Sequence, residues 1–259
     1  MKTHVFIQAR MGSTRLPKKV LSDLGGRSMF SVLAERLRAV AGVDAVILMT
    51  SIRPENDPLC EEASRVRIPA FRGNEENLLD RMFHAVAAYP ADTLVRVTAD
   101  CPLLDPRIVE EALQQFRTGR YDMVSNVRVR SFPDGMDVEV FSRAALTNAW
   151  HACVAQDTES LSQFMSPTKY IHHSPAVRAY DLVHKPNLAH VRITVDFPED
   201  LDVVRAVHAA LSPGNPLFSM DDTVSFLSAH PEIAKKNAAH VCTDYGLSPE
   251  AGKNSRPGV

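Results

Sequence analysis

The chain has 259 residues, 45% apolar and 23% charged, with 11 glycines and 17 prolines. That is enough chain for a sizeable core, and the composition excludes collagen-like, coiled-coil and wholly disordered proteins. A formal net charge of -2 excludes a global basic field that would draw the chain onto nucleic acid or an anionic membrane, so any bound anion must be held by a local cluster.

Residues 4–8 form a short apolar run followed by Arg, Gly, Ser and Pro, the pattern of a buried parallel strand opening into a loop. From Met29 to Val40, apolar side chains recur at helical spacing, with Glu35, Arg36 and Arg38 off that face. A second apolar run at 45–49 completes a β-α-β unit. The alternation continues with a helix over 58–65, a strand over 68–71, a helix over 77–88, a strand over 93–98 and a helix over 106–116. Repeated βα units predict an α/β fold with a mostly parallel sheet and helices on both faces.

Beyond Tyr121 the pattern changes. Strands are expected at 122–125, 136–141, 177–183 and 191–195, with helices at 143–155, 198–211 and 221–230. One α/β domain over 1–245 is expected, with the irregular stretch near 126–175 as an elaboration and 246–259 as a disordered tail. Cys60, Cys101, Cys153 and Cys242 are scattered without a C-x-x-C pair, which fits a reducing compartment and gives no zinc spacing. The first ten residues meet charge too early for a signal peptide, and no apolar run approaches the ~20 residues of a membrane span. A cytoplasmic protein is expected.

Chemistry concentrates after the first strand, in Q-A-R-M-G-S-T-R-L-P-K-K-V-L from Gln8 to Leu21. Arg10, Arg15, Lys18 and Lys19 occur there with no acidic residue until Asp23. Gly12 lets backbone approach a ligand, Ser13 and Thr14 add hydroxyls, and arginine offers a planar fork matched to phosphate oxygens. The loop leaves the carboxyl end of a strand, where α/β folds bind ligands. It is neither G-x-G-x-x-G nor G-x-x-x-x-G-K-[ST]. Two later strands end at carboxylates, Asp100 in R-V-T-A-D-C-P-L-L-D-P and Asp196 in T-V-D-F-P-E-D-L. Two such carboxylates beside a basic loop suit Mg²⁺ shared with substrate phosphates, while Asp105 and Glu199 or Asp200 are placed to cap the following helices. Asp134, Asp137 and Glu139 could bind acceptor hydroxyls, or form a polar turn and one solvated strand face. His172-His173 is expected at the surface, and Trp150 and the cysteines in packing.

These motifs, with F-P-D-G-M-D-V-E-V-F, strongly resemble the cytidylyltransferase family of spore-coat polysaccharide biosynthesis protein F. That family is related to CMP-ketodeoxyoctonate and CMP-acylneuraminate synthetases. The likeness runs from residue 5 to about 240 and includes Phe71-Arg72-Gly73-Asn74-Glu75-Glu76 and Leu79-Asp80-Arg81. It implies a Rossmann-like nucleotide-diphosphosugar transferase fold and transfer of CMP from CTP to a sugar-type hydroxyl, with pyrophosphate released. It further implies that the loop from Ala9 to Lys19 holds the nucleotide, with Arg10, Ser13, Arg15 and Lys19 on the phosphates. Asp100 and Asp196 would hold Mg²⁺, and Thr50, Ser51, Arg72, Gly73 and Asn74 would flank cytosine and ribose. By the same resemblance, a homodimer is expected in which the elaboration bounds an acidic-sugar pocket. Two departures concern the acceptor. Thr98-Ala99-Asp100 stands where the ketodeoxyoctonate enzymes carry Gln-Gly-Asp, and Thr158-Glu159-Ser160-Leu161 where many spore-coat members carry Arg-Glu-His-Val.

Overall fold

Seven strands form one open sheet in the order β3-β2-β1-β4-β6-β5-β7. They are β1 (Thr3–Gln8), β2 (Ala45–Ser51), β3 (Ala70–Gly73), β4 (Thr93–Thr98), β5 (Met123–Ser125), β6 (Glu139–Ser142) and β7 (Ala179–Asp181). The computed structural model describes residues 1–155 and 168–240. Strands β3, β2, β1 and β4 run parallel to one another, β6 is antiparallel to both β4 and β5, and β5 is parallel to β7. The sheet is therefore mostly parallel with one reversed strand.

Helices cover both faces, as two-sided burial of its strands requires. Val5, Ile7, Val46, Leu48, Val95 and Val97 point to one face. They pack there against α1 (Met29–Arg38), α2 (Asp57–Arg65), α4 (Pro106–Arg117), α7 (Pro198–Leu211) and α8 (Met220–Ala229). The alternate residues Phe6, Ile47, Met49 and Leu94 meet α3 (Leu78–Ala88), α5 (Arg143–Ala155) and α6 (Lys169–His173) on the other face. A short α9 (Pro231–Ala234) follows α8. The helix starts carry the chemistry that satisfies their free amides. Ser28, Asn77, Asp105 and Ser219 each accept from a first-turn N–H.

Two expectations about the second half need correction. Residues 191–195 form no strand of the sheet; an isolated parallel bridge joins Asp134 and Arg192. His172 is not a surface residue, since its Nε2 lies 2.6 Å from Glu139 Oε1 with the ring 9% exposed. The described parts of the elaboration also pack onto their own sheet. Phe132 is buried in one core and Tyr170 packs against the other. Trp150 stacks on Phe83 at 4.1 Å between centroids and donates from Nε1 to Asp80. Cys101 and Cys153 are buried. The expected tail, Cys242, Phe164, Met165 and Thr158–Leu161 lie outside the described residues.

The run 191–196 crosses the carboxyl ends of the strands because its backbone is held at three points. Asp134 O accepts from Ile193 N and Thr194 N at 2.7 and 2.9 Å, and Asp100 O accepts from Val195 N at 2.8 Å. Gly135 makes the approach feasible. Its φ is 112°, and a Cβ there would lie 2.6 Å from Thr194 N and 2.7 Å from the Ile193 carbonyl carbon. Gly135→Ala should therefore lower unfolding free energy by about 2 kcal/mol or more, combining backbone strain and a main-chain clash. Denaturant melts of the variant against wild type measure it.

Candidate functional site

A cleft of about 680 Å³ opens over the carboxyl ends of β1 and β4. Gln8, Ala9, Arg10, Ser13, Thr14, Arg15 and Lys19 line it from the first loop, and Thr98, Ala99, Asp100 and Asp196 from the opposite side. It lies where open α/β sheets leave a crevice.

The first loop is shaped by its own hydrogen bonds. Met11 O accepts from both Ser13 N and Lys18 N, Ser13 Oγ accepts from Leu16 N, and Asn56 Oδ1 anchors Met11 N at 2.8 Å. At Lys18 the backbone turns left-handed, with φ 61°, and enters one 3-10 turn at Lys19–Leu21. That reversal leaves Lys18 exposed and turns Lys19 inward.

Lys19 is the centre of the cleft floor. Its Nζ donates to Asp196 Oδ1 at 2.9 Å, Asp100 Oδ2 at 3.1 Å and the Val195 carbonyl at 2.7 Å, which accounts for all three ammonium protons. Burial works to lower the Lys19 pKa, but the two carboxylates outweigh it and hold the group above its ordinary value. For Asp100 burial works upward and is outweighed by Lys19 and a hydrogen bond from Thr98, so its carboxyl is held below the usual range. Arg15 reaches the same Asp196 Oδ1 at 2.9 Å and lies over the Phe197 ring.

Behind Asp196 stands Arg192, which the sequence reading did not single out. Its Nε and Nη2 grip Asp200 at 2.8 Å each, Nη1 reaches Asp134 at 2.7 Å, and Nη2 touches Asp196 at 3.3 Å. Asp200 is fully buried, and also accepts from Asp196 N, Phe197 N and Asn237 Nδ2. It therefore caps α7 as expected and fixes the Asp196 backbone as well. The spacing R-I-T-V-D-x-x-x-D, one arginine four and eight residues before two aspartates, was the available signal.

Of the residues expected around the base, Ser51, Arg72 and Asn74 make bracing contacts within their own loops. Thr50 and Ser51 are fully buried, and Ser51 Oγ accepts from Asn56 Nδ2. Arg72 donates to the carbonyls of Ser51, Ile52 and Arg53 and pairs with Asp57. Asn74 Oδ1 accepts from Glu76 N and Asn77 N, while Arg81, 1% exposed, holds the carbonyls of Asn74 and Glu75. A Cβ on Gly73 would lie 3.0 Å from Arg81 Cγ, so that strand end is tightly packed. None of Thr50, Ser51, Arg72, Gly73 or Asn74 lines the cleft; the loop they support presents Arg53, Glu75 and Glu76 to it. Arg10 pairs loosely with Glu75 at 3.6 Å. Gly12 lies outside the lining set, with its α-carbon face against Glu55.

Asp134, Asp137 and Glu139 form no solvated face. Asp137 pairs with Arg130 at 2.6 Å, and burial pushes its carboxyl up to about 6 against that pairing. Burial raises the Asp134 pKa too. Glu139 is 2% exposed and meets Arg96 and His172. Burial alone would raise its pKa, but Arg96, His172 and Thr168 pull it down to about 2. These three residues lie behind the cleft wall rather than among its lining.

The sign of the Glu139 shift sets a pH dependence. A carboxyl with a depressed folded pKa stabilises the fold above its unfolded value, near 4.3, and loses that contribution as pH falls toward 2. Glu139→Gln should destabilise the protein by about 3 kcal/mol at pH 7. The gap should narrow on going from pH 4.5 to pH 3, read by denaturant melts of both proteins at each pH.

The cytidylyltransferase family matches residues 4–206. The spore coat polysaccharide biosynthesis protein SpsF of Bacillus subtilis is 28% identical over 242 residues, covering 90% of this chain and 97% of that protein. A cytidylyltransferase from Leptospira borgpetersenii superposes with a TM-score of 0.82 at 26% identity, over 90% of this chain and 97% of the other. A CMP:2-keto-3-deoxy-manno-octonic acid synthetase, solved with CTP, shares the fold at a TM-score of 0.60 and 23% identity, over 81% and 99%.

Proposed function

The chain belongs to the cytidylyltransferase family, and from that premise we propose that it transfers CMP from CTP to the hydroxyl of an acidic sugar or related acceptor, releasing pyrophosphate. The observation that carries this reading is the convergence of Asp100 and Asp196 on one cationic point beside the basic loop. Similarity to a spore-coat polysaccharide protein and to sugar-CMP synthetases supports a role in making surface glycans.

A divalent cation fits the same point. The Lys19 ammonium already bridges the two carboxylates there, so their oxygens are aimed at a shared positive charge. Among the described residues no group of three or more His, Cys, Asp or Glu side chains could hold a metal unaided. Two carboxylates completed by substrate phosphate oxygens match the habits of Mg²⁺. When bound, Mg²⁺ would neutralise charge on the triphosphate and polarise the transferred phosphoryl group. The remaining work falls to the chain. Arg10 and Arg15 are exposed enough to swing onto the triphosphate, and Lys19 can exchange its carboxylate contacts for a phosphate oxygen. Together they orient the leaving pyrophosphate and stabilise its charge.

For the acceptor, Asp134 and Asp137, held by Arg192 and Arg130 behind the cleft wall, are the acidic candidates on the elaboration side. For the assembly we propose a homodimer, supported by Val127 and Val129, which stay partly exposed. Light scattering at micromolar concentration tests the assembly, with one chain's mass rejecting the dimer. Among the described residues no helix is long and apolar enough to cross a membrane.

Pyrophosphate release with each of four NTPs against a panel of acidic sugars tests the reaction. CTP should be preferred, and EDTA should abolish turnover. Asp100→Asn and Asp196→Asn should each reduce turnover by orders of magnitude while melting cooperatively. Arg15→Ala and Lys19→Ala should weaken CTP binding by roughly 1.5–3 kcal/mol each, and Lys18→Ala by far less, since Lys18 faces solvent. Near-normal turnover of either aspartate variant would remove that residue from the site.

A further inference from the structure

Gln8 is the last residue of β1 and lines the cleft, yet it belongs to none of the charged contacts described above. It pairs in register with Thr98 on β4, two residues before Asp100, and its own carbonyl accepts from Ala99 N at 3.0 Å. The side chain is thus placed at the row of strand ends that carries the metal-type carboxylate.

The orientation of its amide is determined. Arg96 Nε donates to Gln8 Oε1 at 3.0 Å. A guanidinium has donors only, so the oxygen of the amide must face Arg96 and the two N–H groups must face away from it. Arg96 is itself held by Glu139, which is buried and meets His172 on α6. A chain of contacts His172–Glu139–Arg96–Gln8 therefore runs from the elaboration to the cleft and ends in an oriented neutral donor.

The position selects the ligand atom. Arg10, Arg15 and Lys19 supply full charges along the loop, suited to the pyrophosphate end of a nucleotide. Transfer requires the α-phosphorus beside the Asp100–Asp196 pair. A neutral donor on the neighbouring strand end can then stabilise charge on a non-bridging oxygen without adding charge of its own. Resting on the cytidylyl-transfer reading, we propose that Gln8 Nε2 donates to an α-phosphoryl oxygen of the bound nucleotide, with Arg96 as the positioning residue that holds the amide in that sense. Glu139 then acts through Arg96 rather than by touching acceptor.

Calorimetric titration of the full chain with cytidine, CMP and CTP in the presence of Mg²⁺ tests this, because only the latter two carry an α-phosphate. Gln8→Ala should bind CMP and CTP about tenfold more weakly than wild type and cytidine equally well, as expected for one lost hydrogen bond to a charged group. Gln8→Glu, which turns a negative charge toward the phosphate, should lose more. Arg96→Lys keeps a cation for Glu139 but not the fixed Nε contact, and should weaken CMP binding while leaving cytidine unaffected. Unchanged CMP affinity in Gln8→Ala would overturn the proposal. So would an equal loss for cytidine, which would mean a structural role. Wild-type protein that binds neither CMP nor CTP would instead overturn the cytidylyl-transfer reading, and this proposal with it.

Discussion

The Lys19 ammonium ties together the side chains of three parts of the chain that are far apart in sequence. The loop after β1 supplies it, the end of β4 supplies Asp100, and the segment after residue 190 supplies the Val195 carbonyl and Asp196. Two carboxylates this close would repel one another, and a shared cation converts that repulsion into attraction. The cleft keeps its shape because this charge is satisfied.

A second layer of charge supports the first. Arg192 is 90% buried by its side chain and contacts three carboxylates, those of Asp134, Asp196 and Asp200. Buried ion pairs contribute little net stability against an apolar replacement, but breaking one by removing a partner costs several kcal/mol. Their value here is geometric. Asp200 holds the backbone amides at 196 and 197, Arg192 holds the Asp196 carboxylate, and Asp134 ties both to the Gly135 turn. The side chain that faces the cleft is thereby set from behind.

Most of the sheet was legible in the sequence because each strand and helix there carries a local period. The run Thr93–Thr98 and the helix Pro198–Leu211 coincide with their expected limits, since turn residues and prolines mark both ends. The basic loop, Asp100 and Asp196 stand in three distinct sequence motifs, and all line one cleft. What was not legible depends on contacts between distant segments. Residues 191–195 alternate like a strand but pair with the Asp134–Gly135 turn instead of a sheet edge. Glu139 alternates like a solvated face, yet α6 brings His172 against it from outside the strand. Arg72 and Asn74 carry the right chemistry for a ligand and spend it on backbone carbonyls and amides of their own loops.

The Lys19 contacts with Val195 and Asp196 also bear on how the protein is made. They span 176 and 177 residues of sequence. Parallel pairs β1–β2 and β1–β4 need less than half the chain, so the basic loop and Asp100 can be brought together before the segment beyond residue 190 is synthesised. Closing so large a loop is slow relative to local pairing. Before that segment arrives, the basic loop has Asp100 and Glu75 as acidic neighbours and lacks Asp196. The carboxylate pair under Lys19 is therefore completed last, by a segment that belongs to no strand of the sheet.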